Sequence, residues 1–178
     1  ISKTVLKNQL QLGISPAEAL TNANRQLCEN NEAGLFVTCW AGVYDTESGI
    51  LTFVNAGHNP PVVMRKGEPA QFLVQRSGFV LAGMEDFRYK QQELHLAAGD
   101  EMFFYTDGVT EATTEDNTLY GDARLLACLD KNRNTSIGNQ LAALKDDIDL
   151  FVGDAEQFDD ITMLMIHYGG DGMDRESK

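Results

Sequence analysis

Residues 36–56 read FVTCWAGVYDTESGILTFVNA, and the class of fold is set here. Two runs rich in Val, Thr and aromatic side chains, 36–44 and 50–56, flank Asp45-Thr46-Glu47-Ser48-Gly49. Branched and aromatic side chains suit a pleated surface, and a short polar turn ending in Gly joins two such runs into a hairpin. Downstream, 62–65 and 71–74 read as short strands around a Gly67 turn. Residues 87–96 are also strand-like, and Ala97-Ala98-Gly99-Asp100 turns the chain into the apolar run 102–105. Helical periodicity returns at 122–129 and 136–152, and 161–168 closes the chain as a continuous apolar strand.

Upstream of the hairpin the pattern is helical. Residues 2–13 form the last turns of a helix closed by Gly13. Ser15-Pro16-Ala17-Glu18 then supplies an N-cap, a proline at the first helical position and a capping glutamate. The helix they start carries Ala19, Leu20, Ala23 and Leu27 on one face and ends near Asn30 or Asn31. Strands in antiparallel succession with helices before and after them, and no βαβ alternation, define an α+β protein: stacked antiparallel sheet with helices outside. The domain spans 1–168, and 169–178 is a Gly-rich disordered tail.

The chain has 178 residues, 43% apolar and 23% charged, a globular balance with enough length for a proper core. Fourteen Lys and Arg against 27 Asp and Glu leave a formal net charge of −13. That charge excludes a nucleic-acid backbone or an anionic membrane as the main partner. No apolar run approaches the roughly 20 residues of a membrane helix. The first residue is Ile1, so the expectation is a piece of a longer protein. Cys28, Cys39 and Cys128 are an odd number without C-x-x-C spacing, which points to small buried hydrophobes in a reducing cytoplasm and not to disulfides or zinc.

The acids are unevenly placed. Asp100, Glu101, Asp107, Glu111, Glu115, Asp116 and Asp122 form one block without Lys or Arg. Asp146, Asp147, Asp149, Asp154, Glu156, Asp159 and Asp160 form another. Most are solvated surface. Asp107, directly before Gly108, stands where the apolar strand 102–105 ends, and Asp159-Asp160 stands where the apolar strand 161–166 begins. Singly, each reads equally well as a turn or strand-end cap. Together, carboxylates at the mouths of core strands favour a cation between them. Oxygen donors without a His or Cys set select Mg²⁺ or Mn²⁺. Asn55-Ala56-Gly57-His58-Asn59-Pro60-Pro61 reads as a rigid turn with an exposed imidazole. His95 and His167 lack partners at ligand spacing, and Trp40 is a strand aromatic. Phosphate-binding glycine loops, a G-x-S-x-G elbow and calcium loops are absent.

Four segments occur in order: Phe36-Val37-Thr38, the hairpin into Asn55-Ala56-Gly57-His58-Asn59-Pro60-Pro61, Tyr105-Thr106-Asp107-Gly108-Val109-Thr110-Glu111-Ala112, and Asp159-Asp160-Ile161-Thr162. In this order the chain, over 1–168, resembles the SpoIIE-type (RsbU-like) branch of the metal-dependent type 2C protein serine/threonine phosphatases. The resemblance implies an αββα sandwich with a manganese or magnesium pair at one end of its sheets. It implies Asp107 and Asp159 as metal ligands and catalytic residues, with Asn55, His58, Gly108 and Asp160 bordering the site. It further implies a metal-activated water that attacks phosphoserine or phosphothreonine without a covalent enzyme intermediate. The substrate so implied is a phosphorylated bacterial regulatory protein, often an antagonist of an anti-sigma factor, with an upstream sensor domain in the parent chain. The expected location is the cytoplasm, as a cytoplasmic portion of a larger or membrane-anchored protein.

The sequence departs from the family at one point. The G-D-x-x-G-x-G segment that carries a further bridging aspartate is missing, because Gly99-Asp100, Gly121-Asp122, Gly153-Asp154 and Gly170-Asp171 lack the following glycines. The expectation is therefore a domain without its N-terminal strands, with an incomplete metal site, doubtful activity as a fragment and exposed sheet edges that favour a homodimer. The competing reading is a catalytically degenerate module that keeps the fold and binds a regulatory partner.

Overall fold

A computed structural model of the chain describes residues 1–29, 31–155 and 159–169; the expected tail lies almost wholly outside them. Two compact units emerge, 1–58 with 74–96 and 59–73 with 97–178.

In the first unit α1 (Ser2–Gln11) and α2 (Pro16–Cys28) precede a sheet of β1 (Cys39–Tyr44), β2 (Ile50–Ala56), β5 (Ser77–Gly78) and β6 (Gln92–His95). The Ser15 hydroxyl accepts from the Glu18 backbone N–H at 3.3 Å, the cap read from the sequence. β1 and β2 form the expected hairpin in register Tyr44↔Leu51 to Cys39↔Ala56. Leu20, Val54, Ala56, Leu81 and Tyr89 make the core of this unit. Trp40 stacks on Phe53 with ring centroids 5.0 Å apart, and its indole N–H donates to Gln75.

Several boundaries differ from the sequence reading. Residue 37 makes only an isolated bridge to Leu81, and the strand begins at Cys39. The second helix stops at Cys28, short of Asn31. Of 87–96 only Gln92–His95 is strand, because Phe87 and Tyr89 turn their rings against one another, 4.9 Å apart, in the core. β5 pairs in parallel with β2, an exception to the antiparallel order that two residues of Ser-Gly could not announce.

Asn24, fully buried on α2, holds the 82–85 loop: its amide nitrogen donates to the Met84 and Glu85 carbonyls at 2.8 and 3.2 Å, and its oxygen accepts from the Ala82 N–H at 2.8 Å. Asn24→Ala leaves three loop groups without these partners. It is expected to destabilise the chain by about 2–4 kcal/mol in urea unfolding; a loss under about 0.5 kcal/mol would show the loop to be held otherwise.

The second unit is an antiparallel sheet in the order β4 (Gln71–Phe72), β3 (Val62–Met64), β7 (Glu101–Tyr105), β8 (Met163–His167), with α3 (Gly121–Asn132) and α4 (Ile137–Val152). Val62, Phe103, Tyr105, Leu125, Leu129, Leu144, Ile148 and Met165 are prominent in its core. The final strand starts at Met163 rather than at residue 161, and Leu164 is 56% exposed, so the apolar run is one-sided where it read as continuous. His167 does have a partner: its Nδ1 lies 3.2 Å from Oε1 of Glu101, opposite it in register. Buried Gln140 donates to the other Glu101 oxygen at 3.0 Å.

Candidate functional site

The segments that carry the expected carboxylates meet because β7 and β8 are paired. The register ends at Tyr105↔Met163, so the residues after β7 and before β8 leave the sheet side by side. Thr106 ties them together. Its N–H donates to the Thr162 carbonyl at 3.1 Å, and its hydroxyl donates to the Asp160 carbonyl at 2.9 Å while accepting from the Thr162 N–H at 3.0 Å. The chain then turns. The Asp107 carboxylate accepts from the Gly108 N–H at 3.1 Å, and the Asp107 carbonyl accepts from the Glu111 N–H at 2.8 Å. Across the gap, Asp159 accepts from the Asp160 N–H at 2.7 Å.

Gly108 is buried against this second segment. A Cβ there would lie 2.6 Å from the Asp160 carbonyl oxygen, closer than backbone atoms tolerate, and in ordinary contact, 3.4 Å, with that of Asp159. The turn that carries Asp107 and the segment that carries Asp159 are thus packed backbone to backbone, with both carboxylates on exposed residues. Below them Tyr105 is 6% exposed, and burial first, then the Asp122 charge, pushes its phenol up to about 12.

Asp107, Gly108, Asp159 and Asp160 therefore come together in the second unit. Asn55 and His58 belong to the first, where the Asn55 amide donates to the His58 carbonyl at 2.8 Å and accepts from the His58 N–H at 2.7 Å. Gly57 between them has φ +73°, and a Cβ there would stand 2.7 Å from Val80, which explains the glycine of this turn. His58 Nδ1 lies 3.1 Å from the Thr38 hydroxyl. The sequence reading missed Thr106. Its signal was present: a Thr between a strand end and an Asp-Gly turn can bond across to a neighbouring chain end.

Among the described residues no three His, Cys, Asp or Glu side chains group closely enough to hold a metal ion. Two carboxylates still suit Mg²⁺, which is commonly held by one or two carboxylates with waters and substrate phosphate filling its shell. The donor chemistry fits a hard divalent cation.

α4 passes beside the site and is fixed by α3. The Arg124 guanidinium donates to both Asp147 oxygens at 2.9 and 3.0 Å and lies 4.6 Å over the Phe151 ring. That bond, against the opposing effect of burial, holds the Asp147 carboxyl below the usual carboxylate range.

A mixed α+β chain with two sheets and four helices matches the fold of solved PP2C-type phosphatase domains. The SiaA-PP2C domain of Pseudomonas aeruginosa superposes with a TM-score of 0.81 at 20% identity, over 94% of this chain and 67% of that one. The Mn-presoaked phosphatase domain of SpoIIE from Bacillus subtilis gives 0.61 at 17% identity, over 98% and 76%. The family model of stage II sporulation protein E (SpoIIE) matches residues 1–169, and the chain belongs to that family. Phosphoserine phosphatase RsbU of Bacillus subtilis (strain 168) is 33% identical over 109 residues, 61% of this chain and 32% of that protein. The chain spans a third or less of the length of the curated relatives it matches. No described helix is long and apolar enough to cross a membrane.

Proposed function

We propose that the chain is a metal-dependent phosphatase acting on phosphoserine or phosphothreonine of a regulatory protein, with Asp107 and Asp159 holding Mg²⁺ or Mn²⁺. The observation that carries this is the Thr106 clamp, which fixes two carboxylate-bearing segments at adjacent ends of paired core strands. When bound, the cation would supply charge neutralisation at the phosphoryl oxygens and an acidified water. The residues of the chain orient the reaction. Thr106 and Gly108 set the spacing of the two segments, and the Gly108 and Asp160 N–H groups each hold one carboxylate oxygen in place. Asp160 is then a positioning residue through its backbone. Direct attack by a cation-activated water would need no covalent enzyme intermediate. A sigma-factor regulator is the proposed partner class, in the cytoplasm.

The test is phosphate release from a phosphoserine peptide together with Mn²⁺ binding by calorimetry. The expected result is Mn²⁺ binding and hydrolysis that EDTA removes. A folded chain that neither binds Mn²⁺ nor releases phosphate would count against the phosphatase reading of this chain and in favour of the competing one, a phosphatase-fold module that binds its partner without turnover. The small number of donors among the described residues is the observation in favour of that reading.

A further inference from the structure

A groove of about 430 Å³ opens beside Asp159 within the second unit. Its floor is the outer edge of the core: Ala112, Ile148, Val152 and Ile161. One wall is the loop in which Thr113 bridges Leu119, fixed by bonds between Thr114 and Thr118; Leu119 is 56% exposed above the floor. The rim is acidic. Glu111 and Asp159 stand on it, and no Lys or Arg is among the described residues that line it. Asp149 also lines it, but Lys145 pairs with that carboxylate. The two base-free acidic blocks of the sequence, 100–122 and 146–160, thus contribute opposite sides of one apolar groove.

An apolar floor with an acidic rim, on which no described Lys or Arg pairs with Glu111, selects an apolar side chain accompanied by a cation. Because Asp159 belongs both to this rim and to the proposed metal pair, whatever lies in the groove is continuous with the reacting phosphate. We propose that the groove docks the segment flanking the phosphoserine of the substrate protein, seating an apolar side chain against Leu119 and Ile148 and placing a neighbouring Lys or Arg at Glu111. The proposal rests on the phosphatase reading for the identity of that segment, while the selectivity itself is a binding property measurable without turnover.

The probes are fluorescein-labelled peptides with a phosphoserine and, about two to four residues away, Leu-Arg, Leu-Glu or Ser-Arg, a reach set by extended-chain spacing. Binding is read by anisotropy without added metal, and Mn²⁺-dependent hydrolysis of p-nitrophenyl phosphate by the unaltered chain is read separately. The Leu-Arg peptide is expected to bind roughly five- to tenfold tighter than either of the others, the size of one favourable ion pair or one apolar contact. Glu111→Lys is expected to reverse the Arg/Glu preference, and Leu119→Asp to remove the Leu/Ser preference. Both positions are exposed, so the fold survives either change. Equal affinities for the three peptides, or preferences that neither variant moves, overturn the proposal. Self-association of the chain that Leu119→Asp abolishes, with peptides indifferent, assigns the groove to a second copy and also overturns it. Failure of p-nitrophenyl phosphate hydrolysis with peptide selectivity intact counts against the phosphatase reading and leaves the docking groove standing.

Discussion

Asp107→Asn is expected to lower Mn²⁺-dependent phosphoserine hydrolysis by about 10³-fold, some 4 kcal/mol of barrier, and Mn²⁺ affinity by more than about tenfold, while the melting temperature stays within about 2 °C. The reasoning separates the two functions of one side chain. The structural function is acceptance of the Gly108 N–H at 3.1 Å, and an asparagine carbonyl oxygen accepts that bond equally well. The proposed chemical function needs a formal charge on an exposed residue at the strand mouth, and an amide has none. Asn therefore preserves the turn and removes the cation's anchor. Asp159→Asn should behave alike, since its bond from the Asp160 N–H at 2.7 Å is equally open to an amide oxygen. A double variant should lose little more than either single one if, as proposed, the two carboxylates act on the same ion. Hydrolysis and Mn²⁺ binding that survive either substitution would remove the pair from the site. A large loss of melting temperature would instead reveal a folding role that the exposed carboxylates do not predict.

How far these residues could be read from the chain follows from what fixes them. The hairpin of β1 and β2 was legible because a period-two pattern and a polar turn are local properties, and its register closes on the expected turn. The helix begun at Ser15 was legible for the same reason, through its cap. Asp107 and Asp159 stood out because acids beside buried strands conflict with their surroundings, and such conflicts concentrate at functional sites. What stayed hidden was non-local. Nothing near Ser77 signals that it pairs in parallel with Asn55. Residues 87–89 carry strand-forming side chains, yet their rings pack in the core and the backbone leaves the ladder. His167 looked isolated because its partner, Glu101, is distant in sequence and opposite it only through the β7–β8 register. The groove beside Asp159 was half visible as two unbalanced acidic blocks, but their convergence on one apolar floor requires the fold.

Gly108→Ala tests that convergence most severely, because it removes no functional group at all. The added Cβ would sit 2.6 Å from the Asp160 carbonyl oxygen and 3.1 Å from its carbon, and these are backbone atoms already engaged by Thr106. No side chain can swing aside, so either the Asp107 turn or the Asp159 segment must move. The expected cost is about 2–3 kcal/mol in urea unfolding, typical of overpacking at a buried close approach. Mn²⁺ affinity and phosphoserine hydrolysis should fall together, by at least about tenfold, since the spacing of the two carboxylates is what the clash changes. Gly138→Ala is the matched control. It lies near the start of α4, where a Cβ would meet nothing within 4 Å, so the same methyl should stabilise by about 0.5–1 kcal/mol through helix propensity and leave metal binding alone. If Gly108→Ala matched that control, the two segments would not be packed backbone to backbone, and the clamp that joins Asp107 to Asp159 would lose its physical basis. If it lost stability but kept Mn²⁺ affinity, the close approach would be real and the cation would not depend on it. The proposed pairing of the two aspartates around one ion predicts that both are lost in the same variant.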